Sequence, residues 1–147
     1  MRYNLLVIHG PNLNILGSRE PELYGKKSLD DINNMLLKLA QNDGNSIIFF
    51  QSNHEGEIVD RIQKSDYDII IINPAAFSHT SLSIGDAISA VNKPAVEVHL
   101  TNIFKREEFR RKSMVSPFVV GGIYGFGCKS YIYAYRAAVE FLEKKNG

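Results

Sequence analysis

A single cysteine, Cys128, is the only thiol in the 147 residues. One thiol can form neither an internal disulfide nor a cysteine-rich metal cage, and its isolation fits a reducing, cytoplasmic setting. Charge of one sign is also in short supply: 17 basic against 16 acidic residues leave a formal net charge of +1. That balance offers no electrostatic footprint for duplex nucleic acid or an anionic membrane surface. Long apolar runs are absent too. The first, Leu5-Leu6-Val7-Ile8, meets His9-Gly10-Pro11, far short of the roughly 18 residues a membrane helix needs, so neither export signal nor membrane span is expected. No repeat, linker or low-complexity stretch divides the chain, and one domain over residues 1–147 is the expectation. With 44% hydrophobic and 22% charged residues, the composition supports a real core and excludes wholesale disorder.

Five brief, nearly all-apolar runs read as parallel strands covered on both faces: Asn4–His9, Ile47–Gln51, Asp68–Ile72, Ala95–His99 and Phe118–Val120. Between them the period becomes helical. Leu29, Ile32, Leu36 and Leu39 form one stripe, with Ser28 and Asp31 as an N-cap and Gly44 as the stop. Ser52 and Glu55 read as a capping box opening a second helix through Ile58, Val59 and Ile62. Leu82, Ile84, Ile88 and Val91 give a third, closed by Asn92-Lys93-Pro94; a short helix is expected over Lys105–Lys112 and a last one over Lys129–Lys144. Strand and helix repeating five times with right-handed crossovers give an α/β, three-layer αβα fold: a doubly wound five-stranded parallel sheet, flavodoxin-like, in order 2-1-3-4-5, with a Rossmann half as the alternative.

In such a sheet, ligands bind outside the carboxyl ends of the strands where strand order reverses. Polar residues gather at three of those ends: His9-Gly10-Pro11-Asn12-Leu13-Asn14, Asn73 to Thr80, and Glu97-Val98-His99-Leu100-Thr101-Asn102. In the expected order their strands are neighbours, so the three clusters converge on one crevice. A lone Asn beside Pro reads equally well as a turn residue, and His9 and His54 read as structural histidines. His99 differs, because Glu97 two residues earlier on a strand shares its face and can orient an imidazole and favour its protonated form. The segment from about 17 to 27, with Arg19 and Tyr24 and no apolar periodicity, reads as a mobile lid.

Several chemistries fit poorly. The four histidines lack zinc-ligand spacing, so no metal is expected. Gly122 to Gly127 is not a dinucleotide fingerprint, and Pro11 removes an amide that a phosphate loop would want. Ser78, Ser81 and Ser83 lack a nucleophile elbow. A receiver on the same fold would want acidic residues after the first strand, where this chain has His9, Gly10 and Pro11, and a flavin-carrying module would be marked by a yellow purified protein.

The runs His9–Asn14, Gly17-Ser18-Arg19-Glu20, Tyr24-Gly25, Gln51–Gly56, Asn73–Ala76, His79-Thr80-Ser81, Glu97–Asn102 and Arg106–Arg111 closely resemble the type II 3-dehydroquinate dehydratases, in order and over nearly the whole chain. The resemblance implies a cofactor-free lyase (hydro-lyase) of the shikimate pathway, serving chorismate and aromatic amino acid biosynthesis. It would dehydrate 3-dehydroquinate to 3-dehydroshikimate by anti elimination through an enolate, as a homo-oligomer, a dodecamer built as a tetramer of trimers. It makes Tyr24 the proton acceptor, Arg19 its activator, and His99 the acid, supported by Glu97. Asn12 would hold the water that hydrogen-bonds the enolate oxygen. Asn73, Leu100 and Thr101 would bind the substrate carboxylate, and His79, Arg110 and Asp86 the ring hydroxyls, Asp86 from a neighbouring subunit. Gly85 stands where the family often has a basic residue, and Cys128-Lys129-Ser130 also departs from its usual pattern. No lysine lies at an apolar strand end, where Schiff-base dehydration would want one.

Overall fold

The computed structural model describes residues 2–147. Its strands are β1 (Asn4–His9), β2 (Ser46–Gln51), β3 (Ile69–Asn73), β4 (Ala95–His99) and β5 (Gly121–Tyr124), all paired in parallel in the order β2-β1-β3-β4-β5. That is the doubly wound, flavodoxin-like order, not a Rossmann half. The α-helices are α1 (Pro21–Tyr24), α2 (Leu29–Asp43), α3 (Glu55–Gln63), α4 (Leu82–Val91) and α5 (Lys129–Asn146). No helix among the described residues is long and apolar enough to cross a membrane.

Strand side chains alternate between faces, and here both faces are apolar. Leu5, Val7, Ile69, Ile71, Val96 and Val98 pack with Ile32 and Leu36 of α2 and Tyr131, Ala134, Tyr135 and Ala138 of α5. Leu6, Ile8, Ile70 and Ile72 pack with Ile58 and Ile62 of α3 and Ile84 and Ile88 of α4. The three layers follow from those two sets.

Helix α2 begins as expected. Ser28 Oγ accepts from the Asp31 amide while the Asp31 carboxylate accepts from the Ser28 amide, and Gly44 ends the helix at φ 75°. Three expectations are corrected. The fifth strand is Gly121–Tyr124, not Phe118–Val120, because Pro117 sits in a 3₁₀ turn over Ser116–Phe118 and pairing with β4 starts only at Gly121. Ser52 and Glu55 form no capping box: His54 is the N-cap of α3, and Ser52 Oγ instead accepts from the His54 amide and donates to Glu57. Lys105–Lys112 is not a helix but lies across two 3₁₀ turns, Ile103–Lys105 and Glu108–Arg110, since it offers no apolar stripe to bury and Phe109 stays exposed.

At the carboxyl edge β1 and β3 come very close. A Cβ on Gly10 would lie 2.4 Å from the Pro74 carbonyl oxygen, so only glycine lets the loop after β1 lie against the loop after β3. Beneath it, His9 is buried and neutral. Its Nε2–H donates to Asn33 Oδ1 at 2.8 Å, and its Nδ1 accepts from the Tyr131 hydroxyl at 3.0 Å, which accepts from Asn73 Nδ2 at 3.1 Å. Burial pushes His9 down to about 4, against a smaller opposing effect of Asn33. The unfolded chain therefore takes up a proton near pH 6.5 that the folded one refuses until about pH 4, so this contribution is full above about pH 6.5 and lost as pH falls toward 4. Urea unfolding at about pH 7.5 and about pH 5 is expected to show the native protein losing about 2 kcal/mol more than a His9→Asn variant over that interval. Equal losses would contradict it.

Candidate active site

The loops after β1, β3 and β4 enclose a cavity of about 180 Å3. Asn12 from the first loop, Arg19 and Tyr24 from the following segment, Asn73 at the end of β3 with His79 from the second loop, and His99 at the end of β4 with Leu100, Thr101 and Arg110 from the third all line it. Two expected residues do not. Glu97 lies behind His99, and Asp86 is exposed on α4. His54 is exposed at the start of α3 and does not line the cavity.

On one side of the cavity stands the Tyr24 phenol. The Arg19 guanidinium lies over its ring, Cζ 5.0 Å from the centroid, and Arg106 Nη1 donates to its hydroxyl at 3.1 Å. Arg106 also lines the cavity. The phenol is thus met by one guanidinium on its hydroxyl and another on the face of its ring. The hydroxyl's direct partner is Arg106, to which the sequence pattern assigns no role. Its position in the loop that follows His99 at the end of β4 is the signal that points to it.

On the other side is His99. Its Nε2 bonds Glu97 Oε2 at 2.5 Å, leaving Nδ1 as the nitrogen available toward the cavity. Glu97 is buried with three side-chain donors on it: His99, Ser113 and Ser116. Burial opposes its charge, but the hydrogen bond and attraction of His99, then the hydroxyls of Ser116 and Ser113, outweigh that, and its carboxyl falls below the ordinary glutamate range.

Three further groups surround the space between them. His79 Nδ1–H donates to the Lys112 carbonyl at 2.7 Å, turning Nε2 into its acceptor side. Arg110 Nε is buried and 2.8 Å from Glu107 Oε2, yet the contact is misaligned for donation, so the atom has charge balance without a directed acceptor. Asn73 Oδ1 accepts from the Ala75 amide, and Asn12 and Ala75 both adopt left-handed backbone, φ 71° and 52°. Strain of this kind collects at ligand-binding loops. A wider depression of about 920 Å3 beyond Tyr24, edged by Lys26, Lys27, Lys105 and Lys129, shares Tyr24, Leu100, Thr101 and Arg106 with the cavity. Among the described residues, the smaller space is the one that brings the Tyr24 phenol, the His99 imidazole and the surrounding hydrogen-bonding groups together.

The dehydroquinase class II family matches residues 3–139. The 3-dehydroquinate dehydratase of Francisella philomiragia subsp. philomiragia is 56% identical over 142 residues, 97% of this chain and 98% of that protein. That of Francisella tularensis subsp. novicida is 54% identical over the same shares. Among solved structures, the type II dehydroquinase of Butyrivibrio crossotus superposes with a TM-score of 0.89 at 41% identity, covering 91% of this chain and 95% of that one. The type II dehydroquinase of Propionibacterium acnes gives 0.87 at 40% identity, covering 93% and 96%.

Proposed function

The chain belongs to the class II dehydroquinase family and is a 3-dehydroquinate dehydratase of the shikimate pathway, and we propose that Tyr24 and His99 carry its chemistry. The observation that carries this reading is one cavity with a phenol under two guanidiniums on one side and a carboxylate-backed imidazole on the other. Dehydration removes a proton from the carbon beside the ketone and expels the hydroxyl from the next carbon; a base and an acid are both needed. A free phenol, with a pKa of about 10, is almost wholly protonated at neutral pH. Arg106 on the hydroxyl and Arg19 over the ring stabilise the phenolate that abstracts the proton, and arginine suits the task because it stays charged in a partly dry site.

The electron pair left on carbon moves into an enolate, whose oxygen is stabilised by a water held by Asn12. Collapse of the enolate expels the hydroxyl anti to the lost proton, and His99 Nδ1–H protonates it, so one substrate gives 3-dehydroshikimate and one water. Asn73, Leu100 and Thr101 hold the substrate carboxylate; His79 and Arg110 meet ring hydroxyls, a role supported by the acceptor side of His79 and the undirected Nε of Arg110. Residues 1–147 act as one catalytic domain, with 17–27 as the flap carrying Arg19 and Tyr24. The chain works in the cytoplasm as a dodecamer, a tetramer of trimers; exposed Asp86 on α4 reaches a neighbour's site, and exposed Leu82 and Phe109 support such contacts.

Pure protein incubated with 3-dehydroquinate in the presence of EDTA is expected to produce the ultraviolet absorbance of a conjugated enone. It should not be labelled by borohydride plus substrate. No absorbance change, or trapping of a lysine adduct, would contradict the reading. Replacing Arg106 by Gln is expected to lower kcat about a hundredfold with KM changed far less, because its charge matters most while the phenolate exists. Steady-state kinetics with a native-like kcat would remove Arg106 from base activation.

A further inference from the structure

Residues 112–118 form an irregular strap between the second 3₁₀ turn of the loop after β4 and the start of β5, and they touch the site at two places. The Lys112 carbonyl accepts from His79, and the Met114 amide donates to the Ser78 carbonyl at 2.6 Å. Farther along, Ser113 Oγ lies 3.0 Å from both Glu97 oxygens, and Ser116 Oγ donates to Glu97 Oε1 at 2.9 Å. Ser113 Oγ is itself fixed as acceptor of the Val115 and Ser116 amides at 3.2 and 3.0 Å. The strap is anchored by Val115, fully buried, and by Gly85 of α4, where a Cβ would lie 2.7 Å from the Met114 carbonyl and 2.9 Å from the Phe118 ring. Neither serine lines the cavity.

A buried carboxylate can orient an imidazole only while it stays charged and cannot rotate. His99 occupies one acceptor position on Oε2; without other donors the carboxylate would be free to turn about its last torsion and to take a proton. The serine hydroxyls occupy the remaining oxygen, Oε1, and the edge between both. The other neighbours cannot substitute: Ile72 of β3 and Gly122 of β5 stand beside Glu97 in register, and among the described residues His99 is the titratable group that faces it.

We propose that Ser113 and Ser116 are positioning residues for the dehydration, acting through Glu97 to fix the orientation and charge state of the His99 acid. This rests on the reading of His99 as the acid. The strap thereby joins the substrate-binding imidazole of His79 and the proton donor in one rigid piece, docked on α4.

The test is the pair Ser113→Ala/Ser116→Ala, with Ser116→Thr as the variant that keeps a hydroxyl at the exposed position. Losing hydrogen bonds to a charged group is expected to lower kcat of the double variant about tenfold, with KM within about twofold. Glu97 would then take up a proton at higher pH, so the acidic limb of the kcat profile, and the ¹³C titration of the Glu97 carboxyl followed by NMR, should both move up by about one pH unit. Ser116→Thr should restore both toward native. An unmoved carboxyl titration overturns the proposal even if kcat falls, since that would be general structural damage. A shifted titration with an unmoved kcat profile overturns it as well, for the serines then tune a carboxylate that does not govern turnover. His99→Gln separates the two levels: if it keeps native kcat, the reading of His99 as the acid has failed, whereas its collapse beside unaffected serine variants refutes the strap alone.

Discussion

Tyr24→Phe is expected to lower kcat by about three to four orders of magnitude, the upper range for losing a positioned general base, while substrate affinity changes by less than about fivefold. The substitution removes one oxygen from a half-buried ring. It leaves the ring that Arg19 and Arg106 lie against, so packing of the flap on the cavity is preserved. What is lost is, among the described residues, the one group on that side able to accept a proton from carbon; the neighbouring guanidiniums have no lone pair to offer. Binding is expected to be retained because the residues proposed to meet the substrate carboxylate and hydroxyls come from other segments of the cavity wall. Isothermal titration with substrate analogue alongside steady-state kinetics checks both halves, and kcat within about tenfold of native would take tyrosine out of the mechanism.

His99→Gln is expected to cost about two to three orders of magnitude in kcat, less than the loss of the base. Without a proton, hydroxide is a poor leaving group, yet water in the cavity can supply part of what His99 gave. The variant should fold, because Glu97 keeps Ser113 and Ser116 as donors and the glutamine amide can still donate to it. A kcat close to native would refute the acid assignment.

The sheet was legible because its physics is written locally. Ile69–Ile72 is an unbroken β-branched run buried on both faces, and Ser28 with Asp31, then Gly44, mark both ends of α2. The site was legible at the level of loops, since the carboxyl ends of adjacent parallel strands must converge and three of them carry the polar residues. Strand β5 was misplaced because Gly121 and Gly122 have no side chains to show a period; its pairing is dictated by the β4 backbone. The supposed Ser52 cap failed because that serine is buried at a strand end and turns toward Glu57. Arg106 and the strap serines escaped for a related reason. Their roles depend on contacts with Tyr24, 82 residues away, and with Glu97, 16 and 19 residues away, across irregular chain that has no periodicity to read.

The division of labour between phenol and imidazole is tested most directly by solvent deuterium exchange at the carbon beside the ketone of 3-dehydroquinate, followed by proton NMR in heavy water. The account predicts that His99→Gln still washes that hydrogen out, because proton abstraction survives and the enolate, unable to expel its hydroxyl, returns to substrate. Tyr24→Phe should show no exchange above the uncatalysed rate. Exchange by the phenylalanine variant, or its absence in the glutamine variant, would contradict the assignment of base and acid.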